Sequence, residues 1–446
     1  VGFFSMWMAL VAHGAGPWIS EILFNPPGTA DAPNEYIEIR GTPNSTIPAG
    51  TYLISVEGNT NANPGTIQNV FDLSGRTIGG NGFLVLLQNS NSYAVNPHAN
   101  FVVNTNGAGW GSGASSTVGH RGRAGKTDIE NASITFLLLQ SSLAPATGTD
   151  IDLNDTGVPD NPIYSTWTIL DGVGVLDNDG RGDIAYGPIN FRRNSAATAS
   201  GTIVSVAFTA DYVARSNNLT GWSASEWVAG SSLGGTAPNW TLGSSGNTAP
   251  SVLALRALNH IGGPNFGAPL IPGIVVTQTS GSTRATEGGA PDSYDIFLNV
   301  APNGAVTLLV SASDGQVEVS TDGGASYGAS RTITLNSIVS KTIMVRAVND
   351  NLVQVADRPS RIVHSVSSST SAVYPPGTLA PTVTAMVTDN EFVLLSELKV
   401  NPPGSDDAPY EFIELRGTPG AQLQNIYLLV VEGDAGANPG TTRMVV

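Results

Sequence analysis

Apolar residues in this chain come in short runs that alternate with polar ones, and clusters of Gly, Pro, Asn and Asp separate the runs. That pattern has the period of a half-buried strand. Residues 18–25 read as a strand, Asn25-Pro-Pro-Gly28 breaks it, and residues 35–40 read as its antiparallel return. In such a pair Ile22, Phe24, Ile37 and Ile39 share one face, the core face, and Glu21, Glu38 and Arg40 fall on the other. There they are expected to form a surface ion cluster that fixes strand register. Further strands are predicted at 51–57, 83–88, 99–103 and 133–140. From Ile274 the alternation gives seven more short strands with turn signals between them, the pattern of a second β-sandwich. The predicted fold class is all-β, with sandwiches in tandem.

One segment occurs twice. SEILFNPPGTADAPNEYIEIRGTP at 20–43 returns as SELKVNPPGSDDAPYEFIELRGTP at 396–419. The likeness continues through YLISVEG and YLLVVEG to ANPGT, with one residue deleted between the blocks. So long a period is no solenoid, whose repeats run about 20–50 residues; a whole domain is duplicated. The second copy reaches Val446 well before its counterpart would end, so the expectation is a piece of a longer modular protein.

Composition narrows the function classes. A chain of 446 residues allows roughly two to four domains. With 52 Gly, 28 Pro and only 12% charged residues, it is turn-rich and sparsely charged. A formal charge of −16 disfavours binding to nucleic-acid phosphates. The absence of cysteine excludes disulfides, thiolate catalysis and Cys-zinc sites. At the N-terminus, VGFFSMWMALV followed by Ala12-His13-Gly14 matches a signal-peptide apolar region with small residues before a cut after Gly14. Export is therefore expected, with residues 1–16 as a partial signal peptide. No other run approaches the roughly 18 apolar residues of a membrane span.

The signature SEI..NPPG...EYIEI...Y.L...EG resembles the bacterial branch of the lamin-tail domain family, most strongly over 18–88 and 393–446. The stretches YSTWTILDGVGVLDNDGRGDIAYG (164–187), ADYVARSNNLTGWSASEWVAG (210–230) and PNWTLG (238–243) are similar to its long bacterial versions. The resemblance implies an immunoglobulin-like β-sandwich, not catalytic by itself, that joins proteins together or to surfaces and sometimes accompanies nuclease or phosphatase domains. In the second module, TEGGAPDSYDIFLNVAPNGAVTLLVSASDGQVEVS (286–320), MVRAVNDN (344–351) and VTDNE (387–391) resemble the Calx-beta repeat. The expected organisation is a lamin-tail-like sandwich at 17–246, a linker at 247–272, a Calx-beta-like sandwich at 273–391 and a truncated second lamin-tail-like domain at 392–446.

The second resemblance implies a calcium site, since exchanger members of that family gather acidic residues at one end of the sandwich. Calcium takes six to eight oxygen ligands. The matching positions here are Glu287, Asp314, Asp350, Asp389 and Glu391, with Asp357 as a looser candidate; runs of adjacent acids are thinned by Asn349, Asn351, Gln354 and Asn390. Two other acidic stretches read as turns that lack metal ligands: DIDLNDTG at 150–157, and LDNDGRGD at 176–183 with Asp177, Asp179, Asp183 and an interposed Arg181. The glycine-rich stretch 106–126 lacks phosphate-loop spacing and reads as a flexible surface loop. Among the histidines, His260 is expected to be solvated and His364 to pack in a strand. None completes a hydrolytic motif. Trp222, Trp227 and Trp240 are read as closing the sandwich core rather than forming a sugar-stacking face. The expectation is a non-enzymatic exported bacterial surface or matrix protein, with sandwiches as spacers or adhesion units for an unknown protein or polysaccharide. The alternatives are a calcium-dependent binding module and an accessory region of a secreted nuclease or phosphatase.

Overall fold

The structure, a computed structural model, describes residues 16–28, 31–124, 127–177, 182–193, 197–231, 234–242, 258, 260–354, 357–400, 402–403 and 408–446. Residues 1–15 of the expected signal segment, Asp179, Arg181, and residues 247–257 and 259 of the expected linker lie outside the described residues. The chain is all-β; its helical elements among the described residues are three-residue 3₁₀ turns. Two compact units result: Val1–Val275 with Leu298–Asn303 and Ser371–Pro381, and Val276–Phe297 with Gly304–Thr370 and Thr382–Val446.

In the first unit, the strand Trp18–Leu23 pairs antiparallel with Tyr36–Arg40, as the alternation predicts. They sit at the centre of a six-stranded sheet, flanked by Tyr212–Arg215 on one side and Phe83–Leu87 on the other. A seven-stranded sheet, with Thr51–Glu57, Ile134–Gln140 and Thr168–Leu176 at its middle, packs against it. Ile22, Phe24, Ile37 and Ile39 meet Leu53, Phe136, Leu138 and Val173 in the core between the sheets. This is the core face expected for them.

The outer faces are buried as well. Runs such as FLVLL at Phe83–Leu87 and ITFLLLQ at Ile134–Gln140 are apolar at consecutive positions, so both sides of the strand need cover. Trp240, Leu242, Leu258, Ile261 and Phe266 cover Tyr36, Val85, Leu87 and Tyr212 on one side. Ile151, Trp167, Ile184 and Tyr186 cover Ile54, Val56, Leu137 and Leu139 on the other. The expected solvent face of the first hairpin is therefore an inner layer. Glu21, Glu38 and Arg40 are buried on it, contrary to the surface cluster expected.

In the second unit the alternation is strict. Val306–Ala312 buries every second residue, and so do Asp292–Leu298 and most of Arg358–Ser369. A four-stranded sheet runs in the order Ile274–Gln278, Asp292–Leu298, Lys341–Ala347, Val317–Ser320. A five-stranded sheet runs in the order Thr283–Thr286, Val383–Thr388, Arg358–Ser369, Val306–Ala312, Ser330–Leu335. His364 lies inside, its Nε2 2.7 Å from the Tyr294 hydroxyl. After Glu391 the chain makes two exposed hairpins, Val393–Lys399 with Phe412–Gly417 and Leu429–Val431 with Thr442–Val445. Between them Gln422–Leu423 pairs in parallel with Leu352–Val353.

Candidate functional site

Strand direction assembles an acidic group at one end of the second unit. Thr283–Thr286 and Val383–Thr388 are parallel neighbours with Thr286 opposite Thr388, so Glu287 and Asp389 leave the sheet side by side. Glu391 follows two residues on. Ligand oxygens of Glu287, Asp389 and Glu391 lie within 4.8 Å of one another. Arg358 opens the antiparallel strand on the far side of Val383–Thr388, opposite Val387, and so arrives at the same end.

Each carboxylate has a fixed attachment. Glu287, buried, accepts Arg358 Nη2 at 2.8 Å and the Asp350 amide at 3.2 Å. Asp389 accepts the Gln354 amide at 2.6 Å and the Glu391 amide at 3.1 Å. Burial pushes the Asp389 carboxyl up, but these donors and the charge of Arg358 outweigh it and hold the group below its ordinary value. Glu391 is raised, by desolvation first and then by its hydrogen bond to Asp389 and the charges of Asp389, Glu287 and Asp350. Buried Glu391 Oε2 and Gln354 Oε1 have no protein hydrogen-bond partner. Beside the acidic group opens a cavity of about 650 Å³ lined by Leu352, Gln354, Glu391, Phe392, Gln424 and Ile426 among others.

The structure thus brings together three of the five residues expected from sequence. Asp350 contributes its amide to Glu287, while its carboxylate caps the Leu352 amide at 2.7 Å. Asp314 is engaged by the Ser360 hydroxyl at 2.9 Å and the Gln316 amide at 3.0 Å. Asp357 accepts the Thr388 hydroxyl. Sequence reading did not single out Arg358. Three carboxylates and a free amide oxygen suit a hard cation by donor type, and the guanidinium competes for the same oxygens. With Arg358 in place the group carries a fixed positive charge of its own.

The other candidates serve the scaffold. Asp152 accepts the Thr156 and Gly157 amides and the Tyr186 hydroxyl, and Asp150 accepts the Asp152 amide, so this stretch is a hydrogen-bonded turn. Asp183 is held by Thr60 and Ser133. The glycine-rich stretch is anchored rather than free. Trp110 is buried and donates to the equally buried Glu35, and His120 is wedged between Asn69 and Gly111. Burial lowers His120 to about 4. Trp227 and Trp240 are buried, and Trp222 packs partly buried on the core.

Two buried polar groupings in the first unit were not legible as such. Asp171 makes a two-pronged ion pair with Arg215, both contacts 2.7 Å, and also takes the Ile19 amide and Trp222 Nε1. Glu21 accepts the Tyr212 hydroxyl and lies 3.4 Å from His260 Nδ1. His260 is largely buried, with its ring edge-on to Phe266, and is not the solvated residue expected. No sequence signal marked these residues beyond an acid or a base inside an apolar strand.

No family model matches the chain, and no curated protein matches it. The lamin-tail resemblance accordingly rests on its motif alone. Among solved structures the chain is similar to the apo-form Calx CBD1 domain, at 13% identity and a TM-score of 0.18, over 26% of this chain and 97% of that one. A likeness at that score carries no argument about ligands. Among the described residues no helix is long and apolar enough to cross a membrane.

Proposed function

We propose that this chain is part of a non-enzymatic modular protein exported to a bacterial surface or matrix. Its sandwiches, at 17–246 and 273–391 with a partial copy of the first at 392–446, act as spacers or as adhesion units for a protein or polysaccharide. One observation carries the proposal: a set of buried ionisable side chains in the first unit is tied into the sheets. Glu35, Glu21, Asp171, Arg215 and Asp183 each hold strands or loops together through side-chain hydrogen bonds. A group so engaged stiffens a scaffold and is not poised for proton transfer. The test is binding of the purified chain to immobilised cell-wall polysaccharides and matrix proteins, beside nuclease and phosphatase assays. Saturable binding without turnover supports the proposal; hydrolysis that tracks the purified chain overturns it.

A calcium-stabilised second unit is the second reading, favoured by the convergence of Glu287, Asp389 and Glu391. When bound, calcium would neutralise their mutual repulsion and lock the strand ends together. Glu287, Asp389 and Glu391 would hold it, with the Gln354 amide oxygen as a further donor. Arg358 performs part of that neutralisation already, so the ion would add to a charge balance the chain has begun.

A further inference from the structure

The segment that covers the outer face of the six-stranded sheet is attached to it by apolar and polar contacts. Ile261 and Phe266 pack with Tyr36 and Tyr212. Gly262 donates its amide to Glu38 Oε2 at 2.6 Å, and Asn265 Nδ2 donates to the Ser20 carbonyl at 3.0 Å and the Arg215 carbonyl at 3.2 Å. Beneath this cover, seven buried polar atoms have no protein hydrogen-bond partner: Glu21 Oε1, the Tyr36 hydroxyl, Glu38 Oε1, Arg40 Nε, both ring nitrogens of His260 and Asn265 Oδ1. Buried polar atoms of native proteins are nearly always bonded, because an unmade bond costs the full desolvation of the group. The residues concerned are neighbours. Glu21 faces Glu38 across the strand pair, and His260 Nδ1 lies 3.4 Å from Glu21 Oε2. Burial raises the Tyr36 hydroxyl first, and the charges of Glu21, Tyr93 and Glu38 raise it further. Arg40 and Glu38 each feel the other's charge.

We propose that this layer is a binding site for ordered water, closed off from bulk solvent, which bridges Glu21, Tyr36 and Glu38 of the sheet to His260 and Asn265 of the cover. The chemistry of the orphaned atoms selects the ligand. Carboxyl and amide oxygens accept, Arg40 Nε donates, and a hydroxyl or a neutral imidazole does both. A metal cation would meet the Arg40 guanidinium beside Glu38, and an anion would meet two carboxyl groups. Water donates and accepts, and a buried water typically makes about three hydrogen bonds to polar groups that have no other partner. Both sides of the layer contribute: Glu21, Tyr36, Glu38 and Arg40 from the two paired strands, His260 and Asn265 from the cover. The cover is therefore held through water as well as by its direct bonds from Gly262 and Asn265. The inference is independent of what the modules adhere to.

Magnetic relaxation dispersion of water oxygen, which counts long-lived internal waters, provides the test on the full chain. Tyr36→Phe should lose at least one such water, whereas Glu38→Gln, which keeps an accepting oxygen, should lose none. Tyr36→Phe should also melt at a lower temperature, because the water is left short of a partner. Were the hydroxyl unbonded, its removal would relieve a buried penalty and raise the melting temperature. Crystals of the parent give a reading that does not depend on any variant folding. They should show density at hydrogen-bond distance, ~2.7–3.2 Å, from Glu21 Oε1 and Glu38 Oε1. The proposal is overturned by an unchanged dispersion amplitude in Tyr36→Phe, by a raised melting temperature, or by a layer without such density. It is equally overturned by density at ~2.3–2.6 Å from these oxygens, the spacing of a calcium-class cation.

Discussion

Glu21 and Glu38 face each other on neighbouring antiparallel strands, and neither has any solvent exposure. Glu21 takes the Tyr212 hydroxyl and lies beside His260; Glu38 takes the Gly262 amide at 2.6 Å. Burial raises the Glu38 carboxyl well above its ordinary range, and the charge of Glu21 raises it further. Two facing carboxylates in a layer closed to bulk solvent do not both ionise readily, and burial and its neighbour's charge push Glu38 toward its protonated form.

Glu38→Gln should therefore be tolerated and should stabilise the chain at alkaline pH relative to the parent. A carboxyl raised on folding contributes stability that is complete below its unfolded value and is lost as pH rises through the folded one. Glutamine mimics the protonated form at every pH. Urea denaturation at pH 5 and pH 8 should show a smaller loss in the variant; an unchanged difference would remove Glu38 from the account.

His120 carries the opposite sign. Its folded value of about 4 lies below the unfolded 6.5, so the stability it contributes is present above 6.5 and lost as pH falls toward 4. His120→Phe keeps the ring against Phe71 but strands the buried Asn69 oxygen, 2.7 Å from Nε2 in the parent. A loss of about 1–3 kcal/mol is expected near pH 7, with a flatter acid limb. Denaturant melts at pH 7 and pH 5 measure both.

Removing one partner of the Asp171–Arg215 pair should be the most damaging polar change in the first unit. Arg215→Met leaves a buried carboxylate with the Ile19 and Gly172 amides and Trp222 Nε1 but without its guanidinium, and should lower stability by about 3–5 kcal/mol. Adding Asp171→Asn should recover part of that loss, because the stranded charge goes with it. Additive losses in a double-mutant cycle would show that the two residues act separately.

At the acidic end of the second unit, thermal melts of the full chain in ~10 mM calcium against chelator test the cation reading, a concentration well above extracellular-module affinities of ~0.1–1 mM. Calcium should raise the melting temperature of the parent, and Glu391→Gln should abolish the rise. Arg358→Gln should lower the melting temperature in chelator and enlarge the gain from calcium, because it removes the competing guanidinium. If the parent and Arg358→Gln both ignore calcium, the group is a structural ion pair and no more.

The residues that declare a strand by their own alternation were legible from the sequence. Val306, Leu308 and Val310 point inward because side chains alternate across a pleated strand, and the same rule put Ile22 with Ile37 and Ile39 in one core. The duplicated hairpin was legible too, since identical local patterns build identical registers. Burial on the outer faces was not. That Trp240, Leu258 and Ile261 would cover Tyr36 and Tyr212 depends on contacts between segments far apart in the chain, which turned Glu21 and Glu38 from surface residues into buried ones.

Alternation is a local property, fixed by backbone geometry over a few residues, and it determined the strands, the all-β class and the inward set of the second unit. Strand order and direction are not local. The parallel pairing of Thr283–Thr286 with Val383–Thr388 places Glu287 beside Asp389, and the return strand brings Arg358 to the same oxygens. No spacing in the sequence encodes that meeting. It follows from which edges found partners when the sheets assembled, and so only the tertiary structure decided which acids converge, and that a cation of the chain's own stands among them.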